Sequence, residues 1–347
     1  MLGLREIKAV DKQGLWEAYA RWPSAVRTSL AQPLNLPRGR DFGSVVLAGM
    51  GGSGSACDIL AEWSRPNVKV PVTVVKEYHL PGFAGPRTLV VAVSLSGDTK
   101  ETLSILGEAL DKGCTVASVS SGGAMQEVSA KLGVPFNRVE RLLVPRASTP
   151  GMVLVPGRIL AALGLLDGQE ELEMVEGAVK RTLARSLPSV SFGRNPSKKL
   201  AKTLLGKSAV VYASPGALSA AVHFKNSMNE NSKVPVLVEA YPELFHNGIE
   251  TWRAPRNRAV VLLRSVREGV EMRGKIVRLK RMLKEVGVPV AEFRSEDGDL
   301  ATLLSWCLAL DLASGYLAVL EKRDPTPTPI LNQMRKLTQR GSRNSLR

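Results

Sequence analysis

The sequence has few residues of the kinds that build disulfide, zinc or nucleic-acid sites. Its 347 residues include three cysteines, which lie far apart without a CxxC pair, so neither a disulfide framework nor a structural zinc site is expected. An aromatic content of 5%, with no RNP-type motif and no zinc spacing, disfavours nucleic-acid binding. The N-terminus lacks the apolar core of a signal peptide, and the cysteine usage favours a reducing, cytoplasmic setting.

Acidic residues are outnumbered by basic residues: the sequence has 32 Asp+Glu and 47 Lys+Arg, which gives a formal net charge of +15. Part of this excess is local, since the last thirteen residues contain five basic groups and no acid. A solvated surface or the attraction of an anionic substrate accounts for the rest. The 44% hydrophobic content is typical of a folded, soluble protein, and the length suggests two domains.

One apolar segment, residues 300–320, has the length of a membrane span. Asp311 lies at its centre, where a charge is costly in lipid. Polar or small residues also dilute the segment: Ser305, Ser314, Gly315 and Tyr316. These features predict a core helix of a globular protein and argue against a membrane location.

Short apolar runs that alternate with helical patterns occur twice along the chain. Strands are predicted at 44–50, 70–78, 88–96, 114–121, 208–216, 258–265 and 288–295, and helices at 55–63, 99–113, 151–187, 217–233, 268–287 and 300–320. A turn-rich stretch at 189–199 connects the two halves, so a domain boundary is predicted near residue 190. The alternation predicts an α/β protein with two mostly parallel, doubly wound sheets flanked by helices.

The first candidate ligand loop is GMGGSGS at 49–55, between a predicted strand and a predicted helix. Glycines there allow a sharp turn and close approach to an anion at the helix N-terminus. The spacing is not that of a dinucleotide fingerprint, and Lys76 stands where an acidic partner for a ribose is expected. The loop alone fits a ligand site or a tight structural turn.

The second loop, residues 94–102, brings the hydroxyls of Ser94, Ser96 and Thr99 to the start of a predicted helix. Such donors can surround a phosphate. An N-cap at Asp98 or Thr99 is the alternative, although it explains only one hydroxyl. Because both loops follow parallel strands, where open α/β sheets bind ligands, a phosphosugar site is favoured over a nucleotide site.

These two loops resemble the sugar isomerase (SIS) superfamily, and further segments resemble its bifunctional phosphoglucose/phosphomannose isomerases. Those segments are Pro145-Arg146, NENSK at 229–233, HNGIE at 246–250 and DPTPTP at 324–329 with Lys336 beyond. The resemblance implies two tandem SIS domains: residues 1–190 with the phosphate-binding loops and a helical connection, and residues 191–347 with the catalytic Glu/His and the C-terminal helix. It also implies aldose–ketose isomerisation of hexose 6-phosphates in glycolysis or gluconeogenesis, without metal or cofactor.

The resemblance assigns three catalytic residues. Glu230 would move a proton between C1 and C2 through a cis-enediol, a task for which one carboxylate base suffices. His246 would open the sugar ring and would come from the neighbouring subunit of a homodimer. Arg146 would stabilise the developing enediolate. Without the resemblance, the residues alone would fit an ordinary surface arginine equally.

The remaining positions would bind the substrate. They are Gly52, Ser53, Ser94, Ser96 and Thr99 at the phosphate, Thr328 at the sugar, where it would admit both glucose and mannose epimers, and Lys336 or Arg335 as a nearby cation.

Two other function classes were weighed from the sequence. A non-catalytic SIS phosphosugar sensor would normally carry a helix-turn-helix domain, and the roughly 40 residues before the first predicted strand are too few for one. An amidotransferase-type isomerase would need an N-terminal glutaminase cysteine, whereas the first cysteine is Cys57 inside a predicted helix.

Overall fold

The computed structural model describes residues 2–39, 41–254, 257–265, 268–295 and 299–334. Nine strands form two sheets in this part of the chain. The first contains β1 (Ser44–Ala48), β2 (Val72–Val75), β3 (Thr88–Ser94), β4 (Thr115–Ser120) and β5 (Phe136–Arg138), in the order β2-β1-β3-β4-β5. The second contains β6 (Ser208–Ala213), β7 (Val236–Ala240), β8 (Arg258–Arg264) and β9 (Val290–Arg294), in the order β7-β6-β8-β9. All paired strands are parallel, which confirms the predicted fold class.

Helices flank both sheets. Before the first strand lie α1 (Leu4–Val10), α2 (Leu15–Ala20) and α3 (Trp22–Ala31); then come α4 (Gly51–Ser64), α5 (Lys100–Asp111), α6 (Ala124–Leu132), α7 (Thr149–Ala162), α8 (Gln169–Ser186), α9 (Pro196–Leu204), α10 (Leu218–Ser227), α11 (Val270–Glu285) and α12 (Asp299–Leu320). Helices follow β1, β3, β4, β6, β8 and β9, which is the crossover pattern that parallel strands require.

The two halves share one continuous apolar core. Buried side chains of α3, α7, β6 and α12 belong to the same cluster, including Trp22, Leu154, Val211 and Leu308. Smaller clusters lie on the other face of each sheet. The boundary predicted near residue 190 falls between α8 and α9, and the division into domains at that point stays a prediction.

Helix α12 is the one helix in the described ranges that is long and apolar enough to cross a membrane, and 89% of its apolar window is buried inside the protein. It packs against α8, α9 and α10. Its central Asp311 is fully buried, and both carboxylate oxygens lie 3.0 Å from Nε2 of His223 on α10. The helix therefore belongs to the core, as its central charge predicts.

Several element boundaries differ from the sequence prediction. Helix α4 begins at Gly51, so the glycine-rich segment forms its first turn. The predicted connection at 189–199 ends early because the Asn195 side chain accepts a hydrogen bond from Lys198 N and starts α9. The helix predicted over 217–233 is α-helical only as far as Ser227. A π-helical turn, Met228–Ser232, follows it directly.

The buried His223–Asp311 pair gives a stability prediction. Asp311→Ala should lower the free energy of unfolding by about 3 kcal/mol, because the His223 imidazole is then buried without its acceptor. Urea unfolding followed by circular dichroism measures this. The double variant His223→Leu/Asp311→Leu removes both polar groups and should be more stable than Asp311→Ala. A single-variant loss below about 1 kcal/mol would contradict the prediction.

Candidate functional site

The two predicted phosphate loops are joined by a hydrogen bond. The hydroxyl of Ser53, in the first turn of α4, accepts from the backbone N–H of Leu95 at 3.1 Å. The same hydroxyl donates to Sδ of Met152 at 3.2 Å, and the Ser53 residue is buried. Close packing in this turn explains why residue 54 is a glycine: a Cβ on Gly54 would lie 2.6 Å from the carbonyl oxygen of Gly49. The start of α4 is thereby held against the end of β3.

The hydroxyls predicted in the second loop lie together before α5. Ser94 Oγ donates to Thr99 Oγ1 at 3.0 Å and accepts from Gly97 N at 3.2 Å. Ser96 Oγ accepts from Asp98 N at 3.2 Å. Gly97 has a φ of +78°, where a side chain is strained. The loop therefore presents neutral hydroxyls beside the N-terminus of α5, where the helix dipole favours an anion.

The N-cap alternative for this loop finds no support. Thr99 is the N-cap residue of α5, but its side chain makes no capping hydrogen bond. Asp98 Oδ1 instead accepts from the backbone N–H of Ala124 at 2.9 Å, which ties the loop to the start of α6. Capping of α5 therefore does not account for the Ser94, Ser96 and Thr99 hydroxyls.

Close contact with Gly52 places Arg146 next to the phosphate loops. Arg146 lies in the 3₁₀ turn Pro145–Ser148. A Cβ on Gly52 would lie 3.0 Å from Cβ of Pro145 and 3.2 Å from the backbone nitrogen of Arg146. Only glycine allows this approach without displacing the turn. The role of Gly52 in the described contacts is thus to let α4 and the Arg146 turn touch.

The Arg146 guanidinium is buried and connects three segments of the chain. Nε donates to Asn231 Oδ1 at 2.6 Å, and Nη1 donates to Glu230 Oε2 at 2.6 Å. Nη2 donates to the carbonyl oxygens of Pro325 at 3.0 Å and Thr326 at 3.2 Å. The residue is 3% exposed, so it is not a surface arginine. Four of its five N–H groups have partners among the described residues.

Glu230 lies in the π-helical turn after α10, and 28% of its side chain is exposed. The turn ends at Lys233, which has a left-handed φ of +62°. The Lys233 ammonium lies against the carbonyl oxygen of Glu230 and 3.4 Å from that of Pro325. Burial, followed by the Arg146 charge, lowers the pKa of Lys233. Arg146 thus binds the Glu230 carboxylate and Lys233 binds the Glu230 backbone, while the carboxylate remains accessible to solvent.

Asn231 fixes the Arg146 guanidinium from the buried side. While its Oδ1 accepts from Arg146, its Nδ2 donates to Ser314 Oγ at 2.7 Å and to the Tyr19 hydroxyl at 3.2 Å. Burial raises the pKa of Tyr19, so this phenol stays protonated. Sequence reasoning missed these contributions. The NENSK segment contains Asn231 and could have indicated its role, whereas no sequence motif contains Tyr19 or Ser314.

The other predicted residues lie apart from this centre. His246 ends the 3₁₀ turn Glu243–His246 after β7, is exposed, and contacts neither Arg146 nor Glu230 in the described structure. Thr328 is partly exposed, two residues beyond the Thr326 carbonyl that binds Arg146. Lys336 and Arg335 lie outside the described residues. Within the described ranges, no three His, Cys, Asp or Glu side chains are grouped as a metal site.

Comparison with known proteins identifies the fold. A family model for the bacterial phospho-glucose isomerase C-terminal SIS domain matches residues 193–337. A hypothetical protein of Thermus thermophilus superposes with a TM-score of 0.74 over 97% of this chain and 92% of its own, at 16% identity, which shows likeness of fold alone. The SIS family model thus covers the second sheet, and the solved structure shows a similar fold over both sheets.

Two curated relatives define the family more closely. The bifunctional phosphoglucose/phosphomannose isomerase of Aquifex aeolicus is 31% identical over 302 residues, which cover 85% of this chain and 90% of that protein. The enzyme of the same name from Caldicellulosiruptor bescii is 30% identical over 298 residues, which cover 84% of this chain and 88% of that protein. The chain belongs to the bifunctional phosphoglucose/phosphomannose isomerase family.

The contacts of Asn231 predict that it positions Arg146. Asn231→Ala should lower kcat by about tenfold to a hundredfold and leave KM nearly unchanged, because the guanidinium loses the acceptor at Nε while the phosphate loops are untouched. Steady-state isomerase kinetics measure both constants. Asn231→Asp keeps an oxygen acceptor and should retain more activity than the alanine variant. Asn67→Ala, at an exposed asparagine in the turn after α4, is the control, and an equal loss there would contradict the prediction.

Proposed function

We propose that this protein interconverts glucose 6-phosphate, mannose 6-phosphate and fructose 6-phosphate through a cis-enediol, without a metal ion. The observation that carries the proposal is the Arg146–Glu230 pair, 2.6 Å between Nη1 and Oε2, beside two loops of neutral hydroxyls. A carboxylate base, a fixed cation and a phosphate cradle are the groups that this isomerisation requires.

The phosphate would bind where α4 and α5 begin. Both helix N-termini favour an anion, and the side chains there are hydroxyls that donate hydrogen bonds without bringing a competing charge. The proposed contacts are the backbone of Gly52 and the hydroxyls of Ser53, Ser94, Ser96 and Thr99. Because Gly52 touches the Arg146 turn, a phosphate held there would place the sugar carbons toward the Arg146–Glu230 pair.

Glu230 would take the proton from C1 or C2 and return it to the other carbon. Its carboxylate is bound by Arg146 on one oxygen only, so the other oxygen remains for the substrate. Arg146 has one N–H of Nη1 beyond the four that bind described residues, and this donor would meet the charge that develops on the enediolate. Its burial keeps the guanidinium in place throughout the reaction.

His246 would open the sugar ring in the active site of a second subunit. Its exposure and its position away from Glu230 of the same chain support a contribution across a homodimer interface. Thr328 would contact the sugar, and Lys336 or Arg335 would add a cation. The three cysteines are free and buried, which fits a cytoplasmic protein. Burial raises the pKa of Cys57 to about 12, so this thiol is a poor candidate for a glutaminase nucleophile.

A coupled assay tests the reaction. EDTA-treated protein supplied with fructose 6-phosphate should form both glucose 6-phosphate and mannose 6-phosphate. Glu230→Gln should lower kcat by about a hundredfold to ten-thousandfold while phosphosugar binding remains, because the amide cannot accept the proton. Glu271→Gln, on the exposed side of α11, is the control. Glucose 6-phosphate alone would contradict the mannose activity, and binding without turnover would favour a phosphosugar sensor.

A subunit-mixing experiment tests the position of His246. If it acts across a dimer, inactive Glu230→Gln and His246→Ala chains refolded together should regain about a quarter of wild-type activity, because half of the random dimers contain one intact site. As a control, Glu230→Gln mixed with Arg146→Ala should regain nothing, since these two residues contact each other within one chain. No recovery in the first mixture would place His246 in the same chain as its Glu230.

A further inference from the structure

The second sheet repeats the connectivity of the first. Strands β6, β7, β8 and β9 occupy the places of β1, β2, β3 and β4, and helices α10 and α11 follow β6 and β8 as α4 and α5 follow β1 and β3. Five sequence positions separate β3 from α5, and five also separate β8 from α11, of which the structure describes 265, 268 and 269. The second of these loops is therefore the counterpart of the proposed phosphate loop.

A similar hydrogen bond follows β3 and β8, although its serine acceptor lies in α4 in the first half and directly after β6 in the second. In the first, the backbone N–H of Leu95, one residue after β3, donates to Ser53 Oγ at 3.1 Å. In the second, the backbone N–H of Ser265, one residue after β8, donates to Ser214 Oγ at 2.8 Å. Arg264, the last residue of β8, therefore stands where Ser94 stands in the first half.

A carboxylate of the chain itself fills this counterpart position. Glu268, 5% exposed, receives hydrogen bonds from Arg264, whose Nη2 lies 2.6 Å and Nε 3.0 Å from Oε2. The hydroxyl of Tyr241, one residue after β7, donates to the other carboxylate oxygen. A planar guanidinium and a hydroxyl converging on two oxygens form the geometry used to bind phosphate as well as carboxylate.

The surrounding charge also favours an anion at this position. Arg264 Nη1 donates to Glu292 at 2.9 Å, and this second carboxylate is also bound by Lys280 and Arg294. Burial raises the pKa of Glu292, but its hydrogen bonds with Lys280, Arg264 and Arg294 outweigh this and lower it to about 2. Without Glu268, Arg264 would keep only the Glu292 carboxylate, which it shares with Lys280 and Arg294, so an oxyanion in the vacated position would restore its second anionic partner.

We propose that the Glu268 carboxylate occupies, in the second domain, the place that the substrate phosphate takes in the first. The second domain thus retains an oxyanion cradle formed by Arg264 and Tyr241, and the Glu268 side chain of the same chain fills it. Each chain then has one open phosphate site although it has two similar sheets. The comparison with the first half rests on the proposed function, whereas the cradle itself is tested separately.

Removal of Glu268 should reopen the cradle to inorganic phosphate. Glu268→Ala should melt roughly 5 °C below the wild type, since Arg264 loses its carboxylate. Addition of inorganic phosphate, against sodium chloride of equal ionic strength, should raise the melting temperature of Glu268→Ala by roughly 3 °C more than that of the wild type. Phosphate binding at the proposed active site is common to both proteins and cancels in this difference.

Glu268→Gln is the matched control, because it keeps the side-chain volume but not the charge. It should melt below the wild type and gain no extra stability from phosphate. If Glu268→Ala does not fold in chloride, its refolding yield in phosphate against chloride is the same measurement. Equal phosphate shifts in all three proteins, or a Glu268→Gln variant as stable as the wild type, would overturn the proposal.

Isomerase kinetics separate this proposal from the proposed function. Glu268 lies outside the Arg146–Glu230 centre, so folded Glu268 variants should keep the KM for fructose 6-phosphate. Phosphate rescue in a protein without isomerase activity would support the cradle and contradict the proposed function. Isomerase turnover without phosphate rescue would support the proposed function and contradict the cradle.

Discussion

The buried guanidinium of Arg146 is the constraint on which the rest of the active region depends. A charge with 3% exposure is tolerated only when its donors have acceptors, and here the acceptors come from two distant parts of the chain. The π-helical turn after α10 supplies two side chains, and the turn before the C-terminal segment supplies two carbonyl oxygens. Displacement of any of these segments would leave a buried N–H without a partner. The position of Glu230 is therefore tied to the buried contacts of Arg146.

This constraint also joins the two halves of the molecule. Arg146 precedes α7, which packs on α4, and α4 carries Gly52 and Ser53. Asn231 reaches through Ser314 into α12, the central buried helix. The proposed phosphate cradle and the proposed base thus belong to different halves, and Arg146 links them in addition to the packing of α4 against α10. Separate halves would each lose half of the site.

Short apolar runs predicted seven of the nine described strands, because strands of a covered parallel sheet are largely apolar. The other two were missed: β5 has only three residues, whereas an apolar run at 234–238 does mark β7 but was not assigned to a strand. The candidate site was predicted only in part. Motifs indicated Glu230 and Arg146, but the bond from Arg146 to Pro325 spans 179 positions, and local pattern contains no information about such a contact. Tyr19 and Ser314 were missed for the same reason.

The difference between the end of β3 and the end of β8 has a simple electrostatic basis. A buried arginine at the end of β8 needs a carboxylate in every state of the protein, and Glu268 meets that need from within the chain. The corresponding end of β3 carries Ser94, whose neutral hydroxyl is satisfied by Thr99 and Gly97 without any counter-ion. The hydroxyls and helix N-termini of the proposed phosphate site therefore need no anion when the site is empty, and release of the phosphate leaves no buried charge unpaired. An arginine in the same place would hold either a permanent internal anion or a product that leaves slowly, and neither suits turnover.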